Sequence, residues 1–245
     1  MFSRKCHQMS TMSVGRTISR VELHQLRLER AKRRNEPPVR TRGEEIFNAV
    51  SHGVGGALAV AGMVLLLLRS HTGLAVMASC FYGISMVVMM FASGLYHALP
   101  TGSRAKRVCR RFDYTSIYLL IGGTFAPIFL IYMGGFWGVT LFCIQWAVIA
   151  AGVTLVLTFG PGRWRPLHFT LYFVLGWSGL AFIPEFYRNA PVLLLFIFLG
   201  GLTYTLGMIP FGRNHKYDHC VWHLFVVAAA VLHWVGIYTQ IYGAL

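Results

Sequence analysis

The stretch "YDHCVWHLFVVAAAVLHW", residues 217–234, begins with polar groups and continues as an apolar segment that can enter a lipid bilayer. His219 and His223 are four positions apart, so on a helix both side chains project from one face. This is the spacing at which one helix chelates a zinc ion. Because ionisable groups are costly inside a bilayer and mark functional sites there, the stretch predicts a transmembrane helix and a candidate metal site.

The composition of the whole chain is that of a membrane protein, with 56% hydrophobic and 12% charged residues. Apolar runs long enough to cross roughly 30 Å of hydrocarbon number seven. They cover residues 46–68, 73–99, 112–133, 136–159, 167–183, 190–211 and 221–245. The alternating pattern of a transmembrane barrel is absent. We therefore predict an all-α, polytopic membrane protein built as a seven-transmembrane-helix bundle.

Lysine and arginine residues are distributed unevenly along this arrangement. Residues 1–42 and the loops after the second, fourth and sixth runs hold 20 of the 22, whereas the opposite loops hold only Arg69 and Arg188. Positively charged loops mark the cytoplasmic side of a membrane. The amino terminus is therefore predicted to be cytoplasmic and the carboxyl terminus to lie outside.

The chain divides into a basic tail, residues 1–42, and a transmembrane domain, residues 43–245. Two interpretations of the tail are open: an amphipathic helix around residues 18–34 lying on anionic headgroups, or a solvated, partly disordered orientation signal. The net charge of +14 is explained by topology and the tail, so we expect no binding to nucleic acid.

Polar residues from three helices meet at one depth if this topology holds. His97 ends the second run, Asp113 is the second residue of the third, and His219 and His223 begin the seventh. Three histidines leave a fourth tetrahedral position open, which is typical of catalytic zinc. Asp113 can orient a histidine or accept a proton.

Two other polar residues of the spans, Ser93 and His52, have two interpretations each. Ser93 lies one turn before the histidine of the second run, where it either faces the site or lets helices pack closely. His52, with Asn48 and Glu45 nearby, either supports or gates the site or makes hydrogen bonds between helices. His233 lies near mid-membrane and is expected to be a satisfied buried histidine.

Six stretches between residues 44 and 227 match the sequence motifs of a known family of membrane proteins. They are "EEIFNAVSHGVG", "FASGLYHALP", "RRFDYTSIYLLIGGTFAPIFL", "LGWSGL", "GGLTYTLGMI" and "HCVWHLFVV". With these motifs the chain resembles the hemolysin III family, the bacterial branch of the progestin and adipoQ receptor family. It is more distantly similar to the adiponectin receptors and alkaline ceramidases.

The resemblance implies a seven-helix bundle in a bacterial cell (inner) membrane, with zinc near the cytoplasmic face. Carried over by motif, the zinc ligands are His97, His219 and His223, and Asp113 and Ser93 belong to the immediate surroundings. The chain departs from the family pattern in two places. The residue after Asp113 is tyrosine, where the pattern of many bacterial relatives has histidine, and the basic tail is longer than the resemblance leads us to expect.

For function we expect a zinc-dependent hydrolase of a lipid amide or ester, with Asp113 as proton acceptor and Ser93 as donor to the developing oxyanion. The alternative is a non-catalytic sensor or homeostasis protein in which zinc is structural. A pore or transporter is disfavoured because no line of polar residues continues to the outer face. Membrane lipids are the expected partners, and the sequence names no substrate.

Overall fold

The computed structural model describes residues 20–213 and 215–245, so the first 19 residues of the basic tail lie outside the described part. All regular structure in the described part is helical. The helices are α1 (Arg20–Asn35), α2 (Arg42–Leu68), α3 (Gly73–Ala98), α4 (Arg104–Pro127), α5 (Gly135–Phe159), α6 (Arg165–Gly176), α7 (Ile183–Asn189), α8 (Pro191–Gly212) and α9 (Asp218–Gln240).

Seven spans are long and apolar enough to cross a membrane, and they coincide with the seven predicted runs. Five of them are essentially α2, α3, α5, α8 and α9. The third span is α4 continued by a π-helical turn, Ile128–Met133, and the fifth combines α6 and α7. The predicted all-α bundle with seven transmembrane helices is confirmed.

The helix ends differ from the ends of the apolar runs. Helix α4 begins at Arg104, because the Ser103 hydroxyl accepts a hydrogen bond from the backbone nitrogen of Lys106 at 3.1 Å and caps the helix. Asp113 is therefore well inside α4 rather than its second residue. Helix α2 likewise begins early, through a capping box between Thr41 and Glu44. Apolar runs mark the stretch that faces lipid, whereas caps mark where the helix starts.

The fifth span is not a continuous α-helix. Helix α6 ends at Gly176, a 3₁₀ turn follows at Ser178–Phe182, and α7 begins with a proline near its start. At the break, the Trp177 indole nitrogen donates to the Thr205 hydroxyl of α8 at 3.1 Å. The break therefore directs an aromatic ring between the fifth and sixth spans.

Helix α2 lies between α3 and α9, with close backbone approaches on both sides. A Cβ atom on Gly94 of α3 would lie 3.4 Å from the Ala49 carbonyl oxygen of α2. On the other side, the Trp234 indole of α9 donates to the Gly62 carbonyl oxygen at 3.3 Å. These approaches bring the histidine-bearing faces of α3 and α9 to the same side of α2.

We call the end of the bundle that carries the loops 99–103, 160–164 and 213–217 the basic end. There α1 is attached through Asn35, whose side chain donates to the Phe159 carbonyl at 3.1 Å and accepts from the Gly162 nitrogen at 3.0 Å. Residues 36–41, here named the strap, then run to the start of α2. No residue of α1 is buried, and its placement on headgroups stays a prediction.

The packing of α4, α5 and α6 around Tyr118 generates a stability prediction. Tyr118 is fully buried and its hydroxyl lies 2.9 Å from His168 Nδ1. A Cβ atom on Gly152 would lie 2.5 Å from the Tyr118 ring. We expect Gly152→Ala to cost about 1–3 kcal/mol by overpacking, which lowers the melting temperature by roughly 2–12 °C.

The matched control is Gly53→Ala, because a Cβ atom there meets nothing within 4 Å. It should leave the melting temperature in detergent unchanged or slightly higher, since alanine is the better helix former. Equal melting temperatures for the two variants would contradict the described packing.

Candidate metal centre

Three histidine nitrogens converge at the basic end of the bundle. His97 Nε2 of α3 lies 3.3 Å from His219 Nε2 of α9, which in turn lies 3.3 Å from His223 Nε2. The three atoms all lie within 4.8 Å of one another. His97 and His223 are buried, and His219 is half-buried. The structure thus brings together the three residues predicted as ligands.

The spacing of these nitrogens suits a bound cation. Tetrahedral ligands at zinc–nitrogen distances of 2.0–2.1 Å are separated from each other by about 3.3–3.4 Å. His97 Nδ1 lies 2.7 Å from a Glu45 carboxylate oxygen, which can only accept, so Nδ1 carries the proton. The Nε2 atom of the neutral ring then directs a lone pair at the other histidines. A metal ion at their centre would satisfy the three nitrogens together.

A charged network holds His97 in place. Glu45 of α2 accepts from His97 through Oε2 and pairs with the Lys106 ammonium group of α4 through Oε1, at 3.1 Å. Lys106 is 0% exposed and also donates to the carbonyl oxygens of Tyr96 and Leu99, at 3.0 Å each. The network fixes the orientation and tautomer of the ring, as carboxylates near metal-binding histidines do.

The second histidine of α9 has neighbours on α2. The His52 ring stacks on His223 with centroids 3.8 Å apart, and the Ser51 hydroxyl lies 3.5 Å from His223 Nδ1. In the described part of the chain, the side chains of His52 and Asn48 have no hydrogen-bond partner although both are buried. His52 therefore contacts the cluster without belonging to it, and it makes no hydrogen bond between helices there.

Asp113 and Ser93 lie beside the histidines. Ser93 is on α3, one turn before His97, and its side chain lies near the Asp113 carboxyl group of α4. Both residues line the same cavity as His219 and His223. The structure therefore places the two predicted supporting residues next to the histidine cluster.

His233 and Cys220 lie outside the cluster. His233 Nε2 of α9 is 3.1 Å from the Ile197 carbonyl oxygen of α8, deeper in the bundle. Cys220 is buried, and its thiol lies 3.8 Å from the Glu44 carbonyl oxygen. Neither residue contributes an atom to the group formed by the three histidines.

A cavity of about 910 Å³ connects the basic end with the interior of the bundle. It passes His219, His223 and Asp113 and reaches Trp177 and His233. The basic side chains that line it are Arg40, Arg110, Arg165, Arg213 and Lys216. Its deeper walls are mainly apolar and aromatic, which is typical of ligand pockets of this size.

Sequence reasoning missed the Glu45–Lys106 pair. The sequence places Glu45 near His52 because both belong to the first span, and it places Lys106 among the basic residues of the loop after the second run. The structure shows that Glu45 contacts α3 and α4 instead. The available signal was the capping pattern at Ser103, which predicts that Lys106 is helical.

The comparisons with known proteins identify the family. The model of the family described as "Haemolysin-III related" matches residues 40–234. The chain belongs to the Haemolysin-III related family. The matched residues include the three histidines, Asp113 and Ser93. The protein is thus a multi-pass integral membrane protein of this family.

Several relatives match over most of their length. The chain is 31% identical to Hemolysin-3 of Bacillus cereus over 194 residues, which is 77% of this chain and 88% of the relative. It is 30% identical to the Hemolysin-3 homolog of Bacillus subtilis, over 76% of this chain and 89% of that protein. Monocyte to macrophage differentiation factor of Homo sapiens is 24% identical, over 81% and 85%.

The carboxylate next to His97 generates a prediction on metal affinity. In Glu45→Gln the acceptor of the His97 Nδ1 proton loses its charge, so we expect zinc, used as the probe ion, to bind about 10–100-fold more weakly. The dissociation constant is measured by competition with a fluorescent zinc chelator.

Glu185→Gln is the control, because Glu185 lies on α7 at the opposite end and bonds only Asn189, at 2.7 Å, among the described residues. It should bind zinc as the wild type does. An unchanged dissociation constant for Glu45→Gln would show that this carboxylate does not support the metal ion.

Proposed function

We propose that the protein is a zinc-dependent hydrolase of a lipid amide or ester. The observation that carries this proposal is a cluster of three imidazole groups, two of which line a largely apolar cavity together with a carboxyl group and a hydroxyl group. Zinc fits the donor set because three histidines with one open position are typical of catalytic zinc. Lipids fit the cavity because its deeper walls are apolar.

The three histidines hold the ion, and Glu45 keeps His97 in the tautomer that binds it. When bound, zinc supplies Lewis-acid polarisation of a carbonyl group and a more acidic water. The acyl carbon gains a hydroxyl group from water, and its bond to nitrogen or oxygen breaks. The products are a fatty acid and an amine or alcohol.

Asp113 and Ser93 act on the proton and on the developing charge. Asp113 accepts a proton from the attacking water and returns it to the leaving nitrogen or oxygen, so that the carboxylate is regenerated. Ser93 donates a hydrogen bond to the carbonyl oxygen as negative charge develops there. Both residues line the cavity, so both groups can reach a carbonyl group bound there.

A second candidate is a non-catalytic membrane homeostasis or sensor protein in which zinc is structural. The Glu45–Lys106 pair favours it, because it joins α2, α3 and α4 beside a cluster that already joins α3 and α9. A metal ion bound by the three histidines would link α3 to α9, and the Glu45–Lys106 pair would connect α2 and α4 to them. In this case zinc contributes to stability and no lipid product forms.

We also propose a location in the bacterial cell (inner) membrane, with the amino terminus in the cytoplasm. The distribution of 20 of 22 lysine and arginine residues to one side supports this orientation. Under this proposal the basic end faces the cytoplasm, and the candidate centre lies near that face.

The hydrolase proposal is tested by Asp113→Asn. This variant keeps the three histidines, so we expect it to retain zinc and to lose turnover by about 100-fold or more, the scale of a positioned proton acceptor. Purified protein is incubated with a total lipid extract, and released fatty acid is measured by mass spectrometry.

Asp218→Asn is the matched control, because Asp218 itself does not line the cavity and its carboxylate accepts from the His215 backbone nitrogen at 3.2 Å. It should release fatty acid at the wild-type rate. No zinc-dependent release from the wild type over many hours would contradict the hydrolase. His219→Ala should then lower thermal stability if zinc is structural.

A further inference from the structure

The mouth of the cavity carries basic side chains that lack carboxylate partners. Within residues 20–213 and 215–245, none of the five basic residues that line the cavity forms an ion pair. The nearby Glu44 carboxylate is engaged elsewhere: it accepts from the Thr41 backbone at 3.0 Å and from the Tyr217 backbone at 2.9 Å. Glu36 of the strap pairs with Arg107, which does not line the cavity, at 3.8 Å.

Arg110 is the most buried of these cations, at 9% exposure. Its guanidinium group donates to the Glu36 carbonyl oxygen at 3.0 Å and lies 5.5 Å from the centre of the Tyr114 ring. A carbonyl dipole and an aromatic face compensate only part of a buried charge. The Asp113 carboxylate is within electrostatic range of Arg110 but forms no ion pair with it among the described residues. Guanidinium groups bind phosphate and carboxylate groups in a bidentate manner, so an anionic ligand can pair with Arg110.

Arg40 directs a second guanidinium group toward the same region. It is half-buried in the strap and lies within electrostatic range of Asp113, His219 and His223. Arg213 and Lys216, which follow α8, complete the basic rim from the other side. A ligand anion at the mouth is therefore surrounded by cations from three segments of the chain.

The deep part of the cavity is mainly apolar, in contrast to its basic mouth. Between His223 and His233 it follows ten residues of α9, or about 15 Å at the helical rise. Leu120, Phe125 and Val226 are among the apolar residues that line it. Two polar groups at its end are bonded within the protein, since Trp177 donates to Thr205 and His233 lies 3.1 Å from the Ile197 carbonyl oxygen. An apolar chain fits this part without displacing these two contacts.

We propose that the cavity binds a lipid whose headgroup carries a net negative charge on a phosphate, with the phosphate at Arg40 and Arg110 and an acyl chain in the deep part. Phosphate, ester carbonyl and chain follow one another in such a lipid in the same order as the basic mouth, the histidine cluster and the apolar interior. A zwitterionic headgroup would add a cation to this basic rim. That this lipid is also the substrate rests on the proposed hydrolase.

The binding experiment uses purified full-length protein in the Asp113→Asn background, so that turnover does not consume the probe. Phosphatidylglycerol and phosphatidylcholine with identical chains are titrated, and tryptophan fluorescence reports binding. We expect phosphatidylglycerol to bind at least about tenfold more tightly, and its affinity to fall as salt rises.

Arg40→Gln should weaken phosphatidylglycerol binding by about tenfold and leave phosphatidylcholine binding unchanged, because one contact to the anion is lost. Arg213→Gln should act in the same direction. The matched control is Arg163→Gln on the loop between α5 and α6, which does not line the cavity and stacks on Trp164 at 4.4 Å. It should bind both lipids as the parent does.

Equal affinities for the two lipids, or no effect of Arg40→Gln, would overturn the proposal. Inorganic phosphate is titrated separately, and binding as tight as that of the lipid would indicate a phosphate site without a chain and overturn it as well. Tight phosphatidylglycerol binding with no fatty acid released by the wild type would support the inference and contradict the hydrolase. Equal release of fatty acid from both lipids would support the hydrolase and contradict the inference.

Discussion

The Glu45 carboxylate between His97 and Lys106 is the contact on which the candidate centre depends. It joins α2 to α3 and α4 at distances of 2.7 Å and 3.1 Å. Lys106 is fully buried, and its charge is tolerable there only because a carboxylate and three carbonyl oxygens surround it. Removing the carboxylate would leave a buried ammonium group without a counter-charge and free the ring of His97.

The same constraint explains why the polar residues collect at the basic end. Each of the buried charged groups needs a partner in a molecule whose surface otherwise faces lipid. The capped starts of α2 and α4 supply these partners, since Glu45 lies one turn into α2 and Lys106 lies in the first turn of α4. Around them the histidines of α3 and α9 close the centre, and the cavity begins beside it.

Much of the fold and part of the site follow from local patterns in the sequence. The seven spans are visible because each apolar run is longer than a soluble helix needs. The pairing of His219 with His223 follows from four-residue spacing on one helix. The approach of His97 required only that α3 and α9 end and begin at the same membrane face, which charge distribution predicts.

The remaining contacts of the fold and of the site depend on which helices are neighbours, and no local sequence pattern indicates this. Glu45 contacts His97 because α2 lies against α3, and Asn35 holds α1 to the loop after α5 through a contact between residues 124 positions apart in sequence. The early start of α4 is invisible to a search for apolar residues because its first turns are basic. The break at Trp177 is indicated only weakly, by glycines at positions 176 and 179.

X-ray absorption spectroscopy at the zinc edge tests the central claim most directly. The purified full-length protein, compared with His219→Ala, reports the number and type of ligands around the ion. We expect about one zinc ion per chain with three imidazole ligands at about 2.0–2.1 Å, and loss of the ion in His219→Ala. Zinc bound through sulfur, zinc that remains in His219→Ala with an unchanged spectrum, or protein purified without chelator that contains no zinc would contradict it.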